Sequence, residues 1–413
     1  MVNQIICSKK FSYLIILTIP LLITGPFFPD LILSLSSLIF IYYVIRSRET
    51  RFFTNKPLII FFVFCLYCIF SSFLSANYLH SLNSSFFYFR IGVFACLIWF
   101  LIEKDKKILD YFYYIIFISF MILILDSFFQ YIFKKNVLGF PILGNRISSL
   151  FGDELVMGSY MSRMLPLFLG LHLIKTKKNI YDNYLVGLVI LFSGITILLS
   201  AERVAILFYI LTIFFIFFFI NQYKKIIIVS ALFYLIFSFI IILNNPWIKE
   251  RILDKTIEII NVQNPERKYV FSHQHDVLFK TAFNMFKEKP LIGHGPKMFR
   301  KLNSDPKYFV DDNSLHIHPH NFYFQLLAET GIIGFSFLTC LLFYVLISFL
   351  KQLKSIIMKR KRYYSDFQIC LLVSILLSVW PLSPNGNFFN NWLAIVYSFP
   401  AGFYLHSIYG KNK

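Results

Sequence analysis

Residues 316–334 read HIHPHNFYFQLLAETGIIG, and this stretch decides how the rest of the chain is interpreted. It places three of the nine histidines directly before an apolar run that reaches Leu350. Pro319 suits the first turn of a helix, because its missing N–H costs nothing there. The pattern therefore predicts a helix that starts at His318 and Pro319, with His320 in its first turn. A bilayer core needs only about 20 helical residues, so the first turns of this helix would stand above the membrane.

The composition is typical of a membrane protein. Of the 413 residues, 57% are hydrophobic and 52 are phenylalanine, and the mean hydropathy is +0.66. These values lie far outside the range of soluble domains. The net charge of +19 could indicate nucleic acid, but the basic residues stand in short clusters between apolar runs. Nucleic-acid binding is therefore not expected.

Apolar runs of spanning or near-spanning length recur along the chain. They lie near residues 11–25, 27–45, 57–75, 86–102, 111–133, 156–174, 183–200, 203–220, 226–243, 321–350, 367–382 and 389–407. We predict an all-α polytopic membrane protein of about 12 transmembrane helices with one large, mostly helical outer loop. Residues 1–243 would hold nine spans, 244–320 the loop domain, and 321–413 the last three spans.

The distribution of positive charge predicts the orientation. With both termini cytoplasmic, most lysines and arginines outside the long loop fall on the inner side. The short outer loops then carry only Lys134, Lys135 and Arg146. This asymmetry satisfies the positive-inside rule, from which long loops are exempt.

The long loop has patterns of folded structure. Helical spacing of apolar residues runs from Pro246 to Ile260, and Ser272 suits the N-cap of a second helix that ends near Glu288. A turn then precedes a short basic helix at residues 296–302. Such a loop would lie over the outer surface of the membrane.

Arginines stand at the outer ends of several predicted spans. Arg90, Arg163 and Arg203 lie within roughly two turns of the outer face. Arg146 precedes the sixth span. Charges at this depth usually face a polar cavity, so the arginines together predict a site for an anion. A guanidinium group can bind two oxygens of a phosphate at once. The alternative for each arginine is snorkelling to the interface, or pairing with a carboxylate such as Glu202.

The histidine-rich junction allows three interpretations. In an extended segment His316, His318 and His320 would share one face and, with Asp311 and Asp312, could ligate a metal ion. The second interpretation is a polar junction between loop and helix that has no chemical role. The third is catalytic, because a histidine of near-neutral pKa at a membrane surface can remove a proton from a hydroxyl nucleophile.

Four stretches resemble one known family in the right order. HPHNFYFQLLAETGIIG is similar to the signature of the O-antigen ligase and polymerase family, which has His-Asn, a leucine-rich turn and Glu-x-Gly-x-x-Gly. The other three are RISSLFGDELVMGSYMSRMLP, LLSAERVAIL and KEKPLIGHGPKMF, at residues 146–166, 198–207 and 287–299. The loop departs from the commonest family pattern, which has an arginine or tryptophan where this chain has His273 and His275.

The resemblance implies a membrane-embedded glycosyltransferase that takes its glycan from an undecaprenyl-diphosphate carrier. It would act at the periplasmic face of the bacterial inner membrane, with no cofactor or metal. Arginines would bind the diphosphate, His320 would take the proton of the acceptor hydroxyl, and a single displacement would invert the anomeric centre. The predicted site comprises catalytic His320 and Arg203; substrate-binding Arg146, Arg163, Arg90 and Arg300; and supporting His318, Asn321 and Glu329.

Two activities compete within the family. A ligase transfers finished glycan to lipid A-core, whereas a polymerase joins lipid-linked repeat units. Polymerases resemble one another in paired outer loops with arginine and glycine eleven residues apart, a spacing that no arginine here shows. The ligase is therefore favoured. A transporter of the same lipid is the alternative from another class, and the roles of His273, His275 and His316 stay open.

Overall fold

The computed structural model describes residues 6–176, 179–260 and 272–411. Within these ranges the chain is helical, with no strand beyond two isolated bridges. The all-α fold class is confirmed. The helices are α1 Lys9–Leu21, α2 Phe27–Ser47, α3 Lys56–Phe73, α4 Tyr78–Ser85, α5 Arg90–Lys104, α6 Lys107–Phe133, α7 Met157–Ile174, α8 Ile180–Leu199, α9 Arg203–Phe219, α10 Lys224–Asn244, α11 Pro246–Lys249, α12 Lys255–Ile260, α13 His273–Glu288, α14 Phe299–Leu302, α15 Phe322–Ile357, α16 Asp366–Ser378 and α17 Asn391–Tyr409.

Each of the apolar runs forms a helix close to its predicted bounds, so the chain is a multi-pass membrane protein. In the described ranges seven helical segments are long and apolar enough to cross a membrane, and α9 and α16 are shorter apolar helices. The total of 12 spans and the outer position of the loop stay predictions. The seven segments are Phe27–Ser47, Lys56–Phe73, Tyr78–Lys104, Lys107–Phe133, Tyr181–Leu199, Asn221–Asn244 and Phe322–Ile357.

Helix α7 lies at the centre of the bundle. Nearly all its side chains are buried, and it packs against α6, α8, α9, α16 and α17. By contrast, α10 leaves large apolar side chains such as Leu235 and Phe239 uncovered. Uncovered apolar area of this kind suits contact with lipid chains. A charged residue on α7 is consequently surrounded by protein, whereas α10 faces outward.

The predicted start of the long helix α15 is wrong. The helix begins at Phe322, with Asn321 as its N-cap, and His320 precedes the cap. The Asn321 side-chain oxygen accepts hydrogen bonds from the N–H groups of Tyr323 and Phe324. Asparagine supplies the acceptor that the first turn needs, which outweighs the preference of Pro319 for that turn.

Helix α15 is also not continuous, contrary to the prediction. Gly331 has φ 63° and ψ −167°, which breaks the helix one third of the way along. Its unpaired backbone groups bond instead to residues 290–295: the Ala328 and Glu329 carbonyls accept from His294 and Gly295 at 3.1 and 2.7 Å. The KPLIGHG and ETGIIG segments are therefore one structural unit.

The described part of residues 244–320 is mostly helical, as predicted. Helix α11 continues through a π-helical turn, Glu250–Asp254, into α12. Helix α13 packs on the first part of α15, where the rings of Phe279 and Phe324 stack with centroids 4.4 Å apart. The basic helix α14 is shorter than predicted. Residues 261–271 of the predicted loop domain lie outside the described residues.

Candidate active site

His320 is held by its backbone. It has a left-handed φ of 55°, which is uncommon for a residue other than glycine. Its carbonyl accepts a hydrogen bond of 2.7 Å from the backbone N–H of Asn385. The neighbouring Asn321 donates from its side-chain amide to the Pro381 carbonyl at 2.9 Å. Both contacts come from the connection between α16 and α17, which therefore sets the position of the imidazole.

Three more histidines surround His320, and we name the four together the histidine cluster. The ring centroid of His320 lies 4.2 Å from that of His318, 4.9 Å from that of His316 and 5.9 Å from that of His275. Helix α13 of the loop supplies His275, whose Nδ1 lies 2.6 Å from the Ser272 hydroxyl. The loop and the start of α15 thus share one site.

The environment keeps His320 in its neutral form. Burial, together with the smaller effects of His316 and His275, lowers its pKa to about 4. Burial and the neighbouring His320 lower the pKa of His318 to about 3. A neutral imidazole has a lone pair that can accept a proton, so at neutral pH the cluster is a base rather than an acid.

Arg163 is built into the protein beneath this cluster. It is only 6% exposed, and its guanidinium donates to the Tyr397 hydroxyl at 3.2 Å and to Asn385 Oδ1 at 3.5 Å. Its charge also lies 4.8 Å from the centre of the Phe208 ring. Since Asn385 binds the His320 carbonyl as well, a single asparagine connects Arg163 to His320.

A second group of arginines converges on residues 200–203, between α8 and α9. Arg146 donates to the Ser200 carbonyl at 3.0 Å, and Arg251 donates to the Ala201 carbonyl at 3.1 Å. Arg203 follows directly in the chain and is exposed. We name Arg146, Arg203 and Arg251 the 200–203 arginine group.

Glu202 is the carboxylate of this group, and its oxygens bind elsewhere. They accept from the N–H groups of Gly158 and Ser159 at 2.8 and 3.1 Å, at the start of α7. Arg146 lies 3.9 Å from Glu202, so the pairing interpretation applies to it in part. Among the described residues no hydrogen bond or ion pair holds the guanidinium of Arg203. Its charge lies close enough to His275 to lower the pKa of that histidine, behind the larger effect of burial.

Arg90 fits the pairing interpretation. Its guanidinium lies 2.7 Å from Asp30 and 2.6 Å from the Ser34 hydroxyl, both on α2. No contact within the described part of the chain connects it to the histidine cluster. Its predicted role in substrate binding therefore has no geometric support.

Glu329 and Arg300 lie where the loop crosses the break in α15. Glu329 is fully buried and accepts from the N–H of Phe299 at 3.2 Å and from the Gln325 amide at 3.0 Å. Arg300 follows Phe299, and its charge acts on both Glu329 and His318. Gln325 in turn accepts from the N–H of Phe388 at 2.9 Å. Glu329 therefore forms the buried polar contact that ties the loop to α15.

Residues 188–339 match the family model of the O-antigen ligases. Over these residues the chain is similar to the O-antigen ligases. The matched range contains Arg203 and residues 244–320, which include His320, and it ends shortly after the break in α15. No curated protein matches the chain. This similarity confirms the predicted resemblance, and the family suggests a membrane glycosyltransferase-like enzyme with lipid-linked glycan substrates.

Sequence reasoning missed two residues of this candidate site. Asn385 stands in LSPNGNFFN at residues 382–390, where its asparagines and glycine indicate a turn and nothing more. Arg251 stands four residues after Trp247, over whose ring its guanidinium lies at 5.5 Å. That spacing places both on one side of a helix, and it is the signal that would have singled out Arg251.

The metal alternative for the histidine cluster has no geometric support. Within the described ranges no group of three or more histidine, cysteine or acidic residues is arranged to hold a metal ion. His273, the remaining histidine of α13's first turn, lies 3.0 Å from Asp311 instead of facing His320.

Proposed function

We propose that the protein is an O-antigen ligase: it transfers a glycan from undecaprenyl diphosphate to lipid A-core at the periplasmic face of the inner membrane. One observation carries the proposal. A neutral histidine, His320, is fixed just before an apolar helix, and its neighbour His275 lies near Arg203, which makes no ion pair among the described residues. This combination supplies a base and an anion-binding charge at the end of a membrane-embedded bundle.

His320 acts as the general base of this transfer. Its ring nitrogen takes the proton of the acceptor hydroxyl as the hydroxyl oxygen bonds to the anomeric carbon, and the bond from that carbon to the diphosphate breaks. A single displacement inverts the anomeric centre. The pKa of about 4 applies to the protein without substrate. A bound diphosphate offsets the nearby positive charges, which raises the pKa of His320 and makes it a stronger base.

The 200–203 arginine group stabilises the leaving diphosphate. Negative charge grows on the diphosphate oxygens as the sugar bond breaks, and fixed guanidinium groups stabilise that charge without a metal ion. Arg146 and Arg251 are each anchored to a backbone carbonyl, so they need little reorganisation. Arg203 has its donors available for the ligand.

Arg163 has a positioning role in this mechanism. It is buried and fully engaged by Tyr397, Asn385 and the Ser159 carbonyl. It therefore supports Asn385, which orients the backbone of His320. The charge of Arg163 also contributes to the positive field beneath the site, without direct contact with the glycan.

A gel profile of surface glycolipids tests the proposal. A null strain is complemented with wild type, His320→Ala or His273→Ala, a matched histidine that faces Asp311 instead of His320. Ligase function predicts that the null and His320→Ala strains accumulate full-length glycan on the carrier with bare lipid A-core, whereas His273→Ala restores the wild-type profile. Core carrying one repeat unit would show a polymerase. An unchanged profile in the null strain would contradict both activities.

We also propose that both termini are cytoplasmic and that residues 244–320 are periplasmic. The positive-inside distribution and the clustering of the loop's histidines with His320 support this orientation. Fusions to alkaline phosphatase, which is active only outside the cytoplasm, test it. Activity is expected after residue 245 and none after residue 411, and the reverse pattern would invert the topology.

A further inference from the structure

A second group of cations lies at the break in α15 and differs from the 200–203 arginine group. It consists of Lys297, Arg300 and Lys301 on the turn that leads into α14, with His80 of α4 beside them. We name these four residues the 297–301 basic group. The sequence shows only a short basic segment here, and the mechanism above uses none of the lysines.

Backbone contacts hold this turn in place. The N–H of Gly295 donates to the Glu329 carbonyl at 2.7 Å, and the N–H of Met298 donates to the Gly295 carbonyl at 3.2 Å. Gly295 packs so closely on Ser75 and Ser81 that a side chain would collide with them. This packing brings α4 against the turn, with the ring of His80 against the backbone of Lys297.

Positive charge is in excess at this position. Within the described ranges Lys297, Arg300 and Lys301 make no ion pair, and Glu329 is the carboxylate whose charge interacts with Lys297 and Arg300. Both oxygens of Glu329 already accept hydrogen bonds from protein groups. The Nε of Arg300 is buried without a hydrogen-bond partner, and burial lowers the pKa of Lys297. Like charges held this close are destabilising unless an anion binds between them.

The two cationic groups act on different histidines of the histidine cluster. The charge of Arg203 acts on His275, whereas the charge of Arg300 acts on His318. Transfer brings two substrates to one base, and the donor diphosphate occupies the 200–203 group in the proposed mechanism. The second group is then available to the other substrate.

We propose that the 297–301 basic group binds a phosphate carried by the acceptor lipid and so presents the acceptor hydroxyl to His320. The proposal rests on the proposed transferase function. The phosphate has two possible sources, namely phosphorylated core sugar in lipid A-core and the diphosphate of a second carrier lipid. The first source corresponds to a ligase and the second to a polymerase.

A binding experiment on the full chain tests the proposal without turnover. His320→Ala protein in nanodiscs is titrated with lipid A-core or with the same lipid after removal of its core phosphates. Adding Lys297→Gln and Lys301→Gln is expected to weaken binding of the phosphorylated lipid about tenfold and to leave the dephosphorylated lipid unaffected. Lys287→Gln, an exposed lysine of α13 that lies over Phe283, is the matched control and is expected to change neither.

Equal loss for both lipids, or no loss for either with carrier-lipid binding also unchanged, would overturn the proposal. An unchanged melting temperature shows that the double variant is folded. Loss of carrier-lipid binding with lipid A-core binding intact would move the site to a carrier diphosphate and overturn the core-phosphate source. The ligase function is judged separately, by whether wild type transfers glycan to lipid A-core, so either idea can fail while the other stands.

Discussion

Arg90 and Arg203 begin two apolar helices with nearly the same local pattern, yet their surroundings differ. Arg90 is bound by Asp30 and Ser34 of the neighbouring helix. Arg203 is exposed, next to two other arginines and to His275. A helix-terminal arginine is thus structural when a neighbouring helix offers a carboxylate, and available to a ligand when the nearest carboxylate already caps another helix.

The largest effect on the transfer rate is expected at His320, the proposed base. His320→Ala is expected to lower the transfer rate about 10²- to 10⁴-fold, the usual loss when a general base is removed. The rate is measured with purified protein, carrier-linked donor and lipid A-core. Full turnover by His320→Ala would contradict the assignment of this residue as the base.

The next prediction concerns the pH dependence of the transfer rate. Protonated His320 cannot accept a proton, so kcat/KM is expected to fall about tenfold per pH unit below its pKa of about 4. The kcat profile, which reports the substrate complex, is expected to fall at higher pH if the diphosphate lies close to the ring. A kcat/KM midpoint near the ordinary histidine pKa would contradict the burial of His320.

Thermal melts at several pH values distinguish acid unfolding from the loss of kcat/KM that protonation of His320 causes. The unfolded chain binds a proton to His320 before the folded protein does, because the folded pKa is lowered. Stability therefore decreases as pH falls from the ordinary histidine pKa towards about 4, and it is regained on raising the pH. His320→Ala is expected to lose less stability over this interval than wild type.

Arg203→Lys is expected to lower kcat/KM about 10- to 100-fold, because lysine keeps the charge but cannot bind two phosphate oxygens with one planar group. The loss should appear with the donor at limiting concentration. Rates equal to wild type would contradict paired recognition of the diphosphate and would make Arg203 resemble Arg90.

Asn385→Ala is expected to lower kcat about tenfold and leave the KM for donor unchanged. The variant keeps the backbone N–H that binds the His320 carbonyl but removes the side chain that joins it to Arg163. Asn387→Ala, from the same connection, is the control. A change in donor KM without a change in kcat would show that Asn385 contacts substrate instead of positioning the histidine.

The smallest effect is expected at Arg90. Arg90→Lys keeps an ion pair with Asp30, and partly exposed pairs of this kind contribute about 0–1 kcal/mol. The transfer rate is expected to stay within about twofold of wild type, and the melting temperature to change slightly. A loss as large as that of Arg203→Lys would erase the distinction between the two arginines.

The helices were predictable to within a few residues, but the junction before α15 was not. Hydropathy and charge report which segments are apolar and which side carries positive residues, and both are local properties of the chain. The start of α15 depended on Asn321, whose side chain also binds Pro381 from a distant connection. The break at Gly331 depended on residues 290–295, which supply the hydrogen bonds that the helix loses.

An all-helical membrane bundle, the position of the histidine-rich junction and the resemblance to the O-antigen ligases all follow from the sequence alone. The tertiary structure was needed to show that Arg90 is paired. It was also needed to show that Arg251 joins Arg146 and Arg203, and that Asn385 links Arg163 to His320. This difference arises because a segment enters the membrane according to the hydropathy of its own residues. The partner of a charge depends on which distant segments fold to within hydrogen-bond distance of it.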